Sequence, residues 1–205
     1  MSLCLQTRPV GALQVSCHIV WDSGSMEGFV IDPGDEGAEL VEEIRELGIA
    51  PQAVLLTHAH FDHIGGCRAL VDAFDIPVYL APPDRDLYFS ADNAMPPWFG
   101  AIENLPDITH EKPAAAALDY EILNTPGHTP GGVCFHFAGE QVLFSGDTLF
   151  RSSVGRTDFP GGNMDHLLHS IRETLFALPR ETSVHPGHNE ATTIGREIDS
   201  NPFVR

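Results

Sequence analysis

A dense cluster of metal-binding side chain types directly follows an apolar run in the first third of the chain. The stretch LLTHAHFDHIGG covers residues 55–66. Within it, the six residues 58–63 include His58, His60, Asp62 and His63. The apolar residues 53–56 predict a strand, so the cluster begins where the chain leaves a sheet. Burying so many polar groups without partners would cost free energy. We therefore expect a fold in which a sheet edge delivers these side chains to a shared centre.

The spacing inside the cluster indicates two neighbouring cation positions. His58 and His60 are two residues apart, and in an extended or tightly turned segment both imidazoles reach the same side. Asp62 and His63 follow as the chain turns into the next helix. We expect these two side chains to face a second cation close to the first.

Three further polar residues occur in equivalent local surroundings later in the chain. His128 lies in NTPGHTPGG, Asp147 in VLFSGDTLF and His188 in VHPGHN. Each follows an apolar strand or stands in a glycine-proline turn, where the backbone can turn sharply. Five histidines and two aspartates are enough for two divalent metal ions with a bridging carboxylate and a bridging water. We expect zinc, with iron or manganese as alternatives, because nitrogen and oxygen donors accept all three.

The order of predicted elements indicates an α/β chain with two sheets. The strands are predicted over residues 13–21, 29–32, 53–56, 78–80, 120–123, 133–137 and 141–144, with a brief one around Val184. Helical spacing predicts helices over residues 39–47, 65–74 and 164–178, and a last helical turn over residues 194–198. Gly48 fits a helix C-terminus and Asn163 a helix N-cap. Because strand-rich segments precede and follow the alternating part, we predict two sheets with helices outside them. At 205 residues we expect a single domain, 1–205.

Composition excludes several classes of partner. Eleven Lys plus Arg against 29 Asp plus Glu give a net charge of −18, which repels nucleic acid and anionic membrane surfaces. No apolar stretch approaches the ~18 residues of a membrane helix, and no secretory signal is recognisable. The scattered cysteines indicate reduced thiols and a cytoplasmic protein. We expect a small-molecule substrate and either a monomer or a homodimer.

The motifs resemble those of the metallo-β-lactamase superfamily. The resemblance rests on THAHFDH at residues 57–63, PGHTPGG around His128, SGDTLF around Asp147 and PGH at His188. It implies a four-layer αβ/βα sandwich of two mixed sheets flanked by helices, with the metals at one edge of the sheets. The implied ligands are His58, His60 and His128 for metal one, Asp62, His63 and His188 for metal two, and Asp147 as the bridge.

Finer features resemble the glyoxalase II-like group of that superfamily. True β-lactamases of the family usually lack the histidine that is His63 here, and often use a cysteine ligand, for which Cys134 is a poor substitute. SVGRTDFPGG at residues 153–162 and the ending TTIGREIDSNPFVR resemble a short bacterial branch of glyoxalase II. Only 17 residues follow His188, whereas full glyoxalase II enzymes carry a helical extension there that holds glutathione. The acyl group and the thiol carrier therefore stay open.

The implied activity is hydrolysis of a small thioester such as a hydroxyacylglutathione. Metal binding lowers the pKa of water from 15.7 to about 7, so a bridging hydroxide can attack the thioester carbonyl at neutral pH. Asp62 and Asp147 are the expected catalytic carboxylates. The alternative is a persulfide dioxygenase, which shares a GRTDF stretch and binds one iron through residues matching His58, His128 and Asp147. A binding module on an inactive enzyme fold is disfavoured, because every ligand position is filled.

Three residues near the ligands are candidates for supporting or substrate-binding roles. Asp32, which follows the apolar FVI, resembles a superfamily position near the metals and is expected to orient a ligand histidine. Arg151 and Arg156 follow the strand that ends at Asp147 and could receive a substrate carboxylate. A structural pair between Arg156 and Asp158 is an equal alternative. Residues 82–117 show no clear period and receive no assigned role.

Overall fold

The computed structural model describes residues 2–115 and 117–204. The chain divides into two compact units, Met1–Asp119 and Tyr120–Arg205, here called the N-terminal and C-terminal units. Each unit contains one mixed β-sheet with helices packed on it.

The N-terminal unit contains a six-stranded sheet in which strand order follows the sequence. Neighbouring strands among the first three pair antiparallel, and the later strands continue the sheet in parallel. The strands are β1 (Leu3–Val10), β2 (Val15–Asp22), β3 (Glu27–Ile31), β4 (Ala50–Leu55), β5 (Val78–Tyr79) and β6 (Ile108–Thr109). The carboxyl end of β4 leads directly into the histidine cluster.

The helices of this unit are short apart from the first. They are α1 (Gly37–Leu47), α2 (Phe61–Ile64), α3 (Cys67–Phe74) and α4 (Arg85–Tyr88), the last preceded by a 3₁₀ turn at Pro82–Asp84. α1 buries Leu40, Val41 and Ile44 in the core that the sheet and α3 also form. It ends at Gly48, whose φ of 69° is left-handed, as the glycine predicted.

The C-terminal unit contains a five-stranded sheet in the order β13-β12-β9-β8-β7 and a separate two-stranded ribbon, β10-β11. The strands are β7 (Glu121–Asn124), β8 (Val133–Phe137), β9 (Val142–Gly146), β10 (Leu149–Phe150), β11 (Ser153–Val154), β12 (Ser183–Pro186) and β13 (Thr192–Thr193). β9 and β12 are parallel, so their carboxyl ends meet at one edge. Helix α5 (Met164–His169) continues as a π-helical turn over Ser170–Leu175, and α6 (Ile194–Ser200) follows β13.

Most predicted elements are confirmed, with different boundaries. The Asn163 side chain accepts a hydrogen bond from His166 N, as its predicted capping role requires. The predicted helix 65–74 starts only at Cys67, because the preceding turn belongs to α2, and the predicted helix 164–178 ends at Leu175. Strands β1, β6 and β13 and the β10-β11 ribbon were not predicted from the sequence. The single-domain assignment stays a prediction. Among residues 2–115 and 117–204, no helix has the length and apolarity needed to cross a bilayer.

Candidate metal centre

Three buried imidazoles lie together after β4. His58, His60 and His63 are 2 %, 7 % and 0 % exposed. The ring centroid of His58 is 4.8 Å from that of His60 and 4.1 Å from that of His63. The neutral imidazole nitrogen is the commonest metal ligand in proteins, so this packing forms a donor set for a cation. These histidines and Asp62 are called the N-terminal ligand group below.

Asp32 holds two of these histidines in place. Its Oδ1 accepts a hydrogen bond from Thr57 N at 2.8 Å, and its Oδ2 accepts from Thr57 Oγ1 at 2.6 Å and lies 3.0 Å from His63 Nδ1. Because the Thr57 hydroxyl proton goes to Asp32, Thr57 Oγ1 accepts from His58 Nδ1, which is 3.0 Å away. Both imidazoles thus use Nδ1 as the donor, which leaves Nε2 available as a metal ligand.

Two buried polar residues fix the backbone between the histidines. Asp84 Oδ2 accepts from Ala59 N at 3.1 Å. The Asn93 amide accepts from Phe61 N at 3.0 Å and donates to Ala59 O at 2.7 Å. Asp84 is 0 % and Asn93 4 % exposed. Neither residue was predicted from the sequence, because both lie in the segment 82–117, where no periodic pattern marks buried positions.

A glycine allows the loop after β3 to approach the same turn. A Cβ on Gly34 would lie 1.8 Å from Asp62 O, which no larger residue could tolerate without moving the backbone. Gly65 N in turn donates to Gly34 O at 3.0 Å. Asp62 is 16 % exposed, and its Oδ2 is 4.0 Å from His63 Nε2. The approach of Gly34 therefore supports the backbone that presents this carboxylate.

The C-terminal unit carries its own ligand group, which consists of His128, Asp147 and His188. Asp147 directly follows β9, His188 follows β12, and His128 lies in the loop between β7 and β8. Asp147 Oδ2 is 3.6 Å from His128 Nε2 and also 3.6 Å from His188 Nε2. This separation is long for a hydrogen bond. It fits ligand atoms that share an ion, since donors ~2.0–2.2 Å from one metal in a tetrahedral site lie about 3.3–3.6 Å apart.

Backbone groups position the C-terminal ligand group. His128 Nδ1 donates to Arg156 O at 2.7 Å, which again leaves Nε2 available as a ligand atom. A Cβ on Gly155 would lie 1.8 Å from Asp147 O and 3.3 Å from His128 Nδ1. Gly127 has a φ of +143°, and a Cβ there would lie 2.3 Å from Leu167 N. Close backbone contacts at glycines therefore set the places of His128 and Asp147.

Both arginines singled out in the sequence have carboxylate partners in the structure. The Arg156 guanidinium makes two hydrogen bonds of 2.7 Å to Asp158 and lies 4.0 Å from the centroid of the Phe159 ring. This hydrogen bonding raises the pKa of Arg156 and lowers the pKa of Asp158 to about 2. Arg151 pairs with Glu190. Their predicted role with substrate stays a prediction, as does the assignment of the seven ligands to two ions.

Comparisons with known proteins identify the family. Residues 10–188 match the family model of the metallo-β-lactamase superfamily. The hydroxyacylglutathione hydrolase GloC of Haemophilus influenzae is 36% identical over 98% of this chain and 97% of its own length.

Two solved structures are similar over nearly their whole length. The BLEG-1 B3 metallo-β-lactamase superposes with a TM-score of 0.90 at 36% identity, covering 98% of this chain and 99% of its own. TTHA1623 in a di-iron-bound form superposes with a TM-score of 0.87 at 42% identity, covering 97% and 99%. The expected fold class is confirmed, and the chain belongs to the metallo-β-lactamase superfamily.

Proposed function

We propose that this protein hydrolyses small thioesters with the help of two divalent metal ions. The observation that carries the proposal is the position of Asp147, whose Oδ2 is 3.6 Å from the Nε2 atoms of both His128 and His188. A carboxylate placed in this way suits a ligand shared between two ions. The similarity to the hydrolase GloC and to a di-iron-bound structure supports the substrate class and the number of ions.

The proposed ligand assignment follows the family pattern. His58, His60 and His128 bind one ion, Asp62, His63 and His188 bind the other, and Asp147 is shared. Zinc is the proposed metal, and iron and manganese also suit this set of nitrogen and oxygen donors. With a net charge of −18, a small molecule is a more suitable substrate than a nucleic acid.

The residues around the ligands reduce the reorganisation that the reaction requires. When bound, the ions lower the pKa of water to about 7 and polarise a carbonyl oxygen. Asp32 and Thr57 fix the ring planes of His58 and His63, and the Arg156 carbonyl fixes that of His128. A site held in this way stabilises developing charge without first moving its own dipoles.

The chemistry of a thioester also explains how a site made of metal ligands can suffice. A thiol has a pKa of about 8.5, so the departing sulfur leaves as a thiolate with little need for a general acid. No side chain of this chain has to form a covalent acyl intermediate. The protein then has to bind the thioester, orient it and prevent unproductive orientations of it.

The test begins with the metal content of protein purified without added metal. Two ions per chain and hydrolysis of S-lactoylglutathione, followed by thiol release, are expected. His58→Ala should lose metal and activity together, whereas His166→Ala, an exposed histidine of α5, should keep both. Full activity in protein stripped of metal would overturn the proposal.

A second candidate is β-lactam hydrolysis, which the 36% identity to BLEG-1 favours. Turnover of a chromogenic cephalosporin at a higher kcat/KM than any thioester would replace the first proposal. The same preparation also tests the persulfide dioxygenase alternative. One iron per chain and oxygen uptake with glutathione persulfide would indicate that activity.

A further inference from the structure

An apolar cavity opens beside Asp62 in the N-terminal unit. Its volume is about 270 Å³. Its walls include Leu13, Phe61, Trp98, Phe99 and Ile102, together with Asp62 itself. Cavities with mainly apolar walls and one reactive edge are typical binding sites for small molecules. Asp62 lines the cavity and also belongs to the N-terminal ligand group, so the cavity adjoins that group.

The walls of the cavity are formed by well-ordered local contacts. Leu13 lies in the turn between β1 and β2, where Gln14 N donates to Gly11 O at 3.1 Å. On the other side, the Phe99 ring stacks on Phe61 with centroids 5.6 Å apart. The backbone of Phe99 and that of Met95 exchange two hydrogen bonds of 2.9 Å. These contacts hold the cavity walls in place, and walls that need little rearrangement lower the entropic cost of binding.

The charge of the walls limits what can occupy the cavity. Among the described residues that line the cavity, Asp35 and Asp62 are the only charged ones, and no lining residue is basic. A carboxylate or phosphate would be repelled there. Thiol carriers such as glutathione and coenzyme A carry such groups, whereas many acyl groups are neutral. Trp98 stands at the rim and is 74 % exposed.

We infer that this cavity binds the acyl chain of the substrate, so that the protein prefers thioesters of neutral, apolar acids. The inference rests on the proposed function, because it takes Asp62 as part of the reactive centre. A cavity of about 270 Å³ leaves room for an acyl chain of several methylene groups. Each buried methylene group raises kcat/KM about fourfold.

The experiment compares acyl chains on one small neutral thiol. Acetyl, butanoyl, hexanoyl and octanoyl thioesters of N-acetylcysteamine are hydrolysed by the metal-loaded protein, and kcat/KM should rise about fourfold per methylene. A second series keeps the acetyl group and lengthens the thiol instead. A preference that follows the thiol, or no dependence on chain length, would overturn the inference and leave the thioesterase activity standing.

Two glycines provide a matched pair of variants. A Cβ on Gly100, which lines the cavity, or on Gly139, in the turn between β8 and β9, meets nothing within 4 Å. The backbone of neither residue is left-handed, so a side chain can be added at both without backbone strain. Gly100→Leu should reduce the ratio of octanoyl to acetyl kcat/KM at least tenfold, and Gly139→Leu should leave it as in the parent protein. Equal ratios in both variants would contradict the inference.

A binding measurement separates this inference from the proposed function. The S-octyl thioether of N-acetylcysteamine cannot be hydrolysed, and calorimetric titration into metal-loaded protein reports its affinity directly. Suppose that thioesters are not turned over, but the thioether binds and Gly100→Leu lowers its affinity at least tenfold. The cavity assignment then stands and the proposed function fails. If the thioether does not bind, or binds equally to both glycine variants, the cavity assignment is wrong.

Discussion

The two ligand groups are held in place by different parts of the chain. In the N-terminal group, side chains position the histidines, because the Asp32 carboxylate and the Thr57 hydroxyl contact them directly. In the C-terminal group, the backbone positions them, since His128 bonds to the Arg156 carbonyl and Asp147 lies against Gly155. Exposure does not separate the two groups, since Asp62 is 16 % exposed in the first and His128 is 4 % exposed in the second.

This difference predicts how each group responds to substitution. Support by a side chain disappears when that side chain is replaced. Support by a backbone carbonyl survives replacement of its own side chain and fails only when the backbone itself is displaced. We therefore expect the N-terminal histidines to be sensitive to replacement of buried polar residues. Asp62, whose backbone lies against Gly34, and the C-terminal group should be sensitive to replacement of glycines.

The largest effect is expected for Asp32→Asn. The carboxylate receives hydrogen bonds from Thr57 N and Thr57 Oγ1 and faces His63 Nδ1, and an amide cannot accept all three. Metal affinity should fall about 10–100-fold, and the free energy of unfolding by roughly 2–3 kcal/mol. Competition with a chelator measures the first quantity, and denaturant titration of the metal-free protein measures the second.

Asp22→Asn is the control for this variant. Asp22 is a carboxylate of the same unit that accepts hydrogen bonds from Gly24 N and Ser25 N and has no bond to a predicted ligand. Its replacement should leave metal affinity as in the parent protein. Equal losses of affinity in both variants would show that the Asp32 contacts do not position the histidines.

Gly155→Ala tests the backbone support of the C-terminal group. Its Cβ would lie 1.8 Å from Asp147 O, so the backbone must move, at a cost of about 1–3 kcal/mol. A loss of 2 kcal/mol corresponds to a Tm lower by about 4–8 °C in a chain of this size. Metal content should fall at the same time. Gly139→Ala, where a Cβ meets nothing within 4 Å, is the matched substitution and should show neither change.

The sequence could predict elements, candidate ligands and the supporting residue Asp32, but not the supporting residues Asp84 and Asn93. α1 was predictable because Leu40, Val41 and Ile44 repeat at helical spacing and Gly48 ends the run. The ligand histidines stand in compact motifs that are visible without a structure. Asp84 and Asn93 contact the histidine loop from 25 and 32 residues away, in a segment with no period. The role of these two residues depends on tertiary contacts, which the local sequence pattern does not reveal.

A smaller effect is expected for Asn93→Ala. The variant loses the hydrogen bond to Phe61 N and the one to Ala59 O, which together stabilise the loop by about 1–2 kcal/mol. Asn93→Asp keeps an acceptor for Phe61 N but places a buried carboxylate against the Ala59 carbonyl oxygen, so its loss should be larger than that of Asn93→Ala. Thermal unfolding of the metal-free proteins gives the order of the three. Identical Tm values for the parent protein and both Asn93 variants would show that the Asn93 contacts do not stabilise the loop.

The smallest effect is expected for the side chain of Arg156, and it should depend on pH. The guanidinium lowers the pKa of Asp158 from 3.8 to about 2, so the ionised carboxylate is favoured in the folded state. The resulting stability is present above pH 3.8 and is lost as the pH falls through about 2. Arg156→Ala should remove this dependence while metal affinity is kept, because the bond to His128 comes from the Arg156 carbonyl.

The matched variant is Arg180→Ala in the same unit. Its pair with Asp199 is 52 % and 66 % exposed, against 51 % and 67 % for Arg156 and Asp158, so solvent screens the two pairs alike. Both variants should therefore lose little stability at neutral pH, and neither should lose metal. A tenfold weaker metal affinity in Arg156→Ala alone would show that the guanidinium, through Asp158 or Phe159, helps to place the carbonyl that holds His128. The C-terminal group would then depend on a side chain as the N-terminal group does.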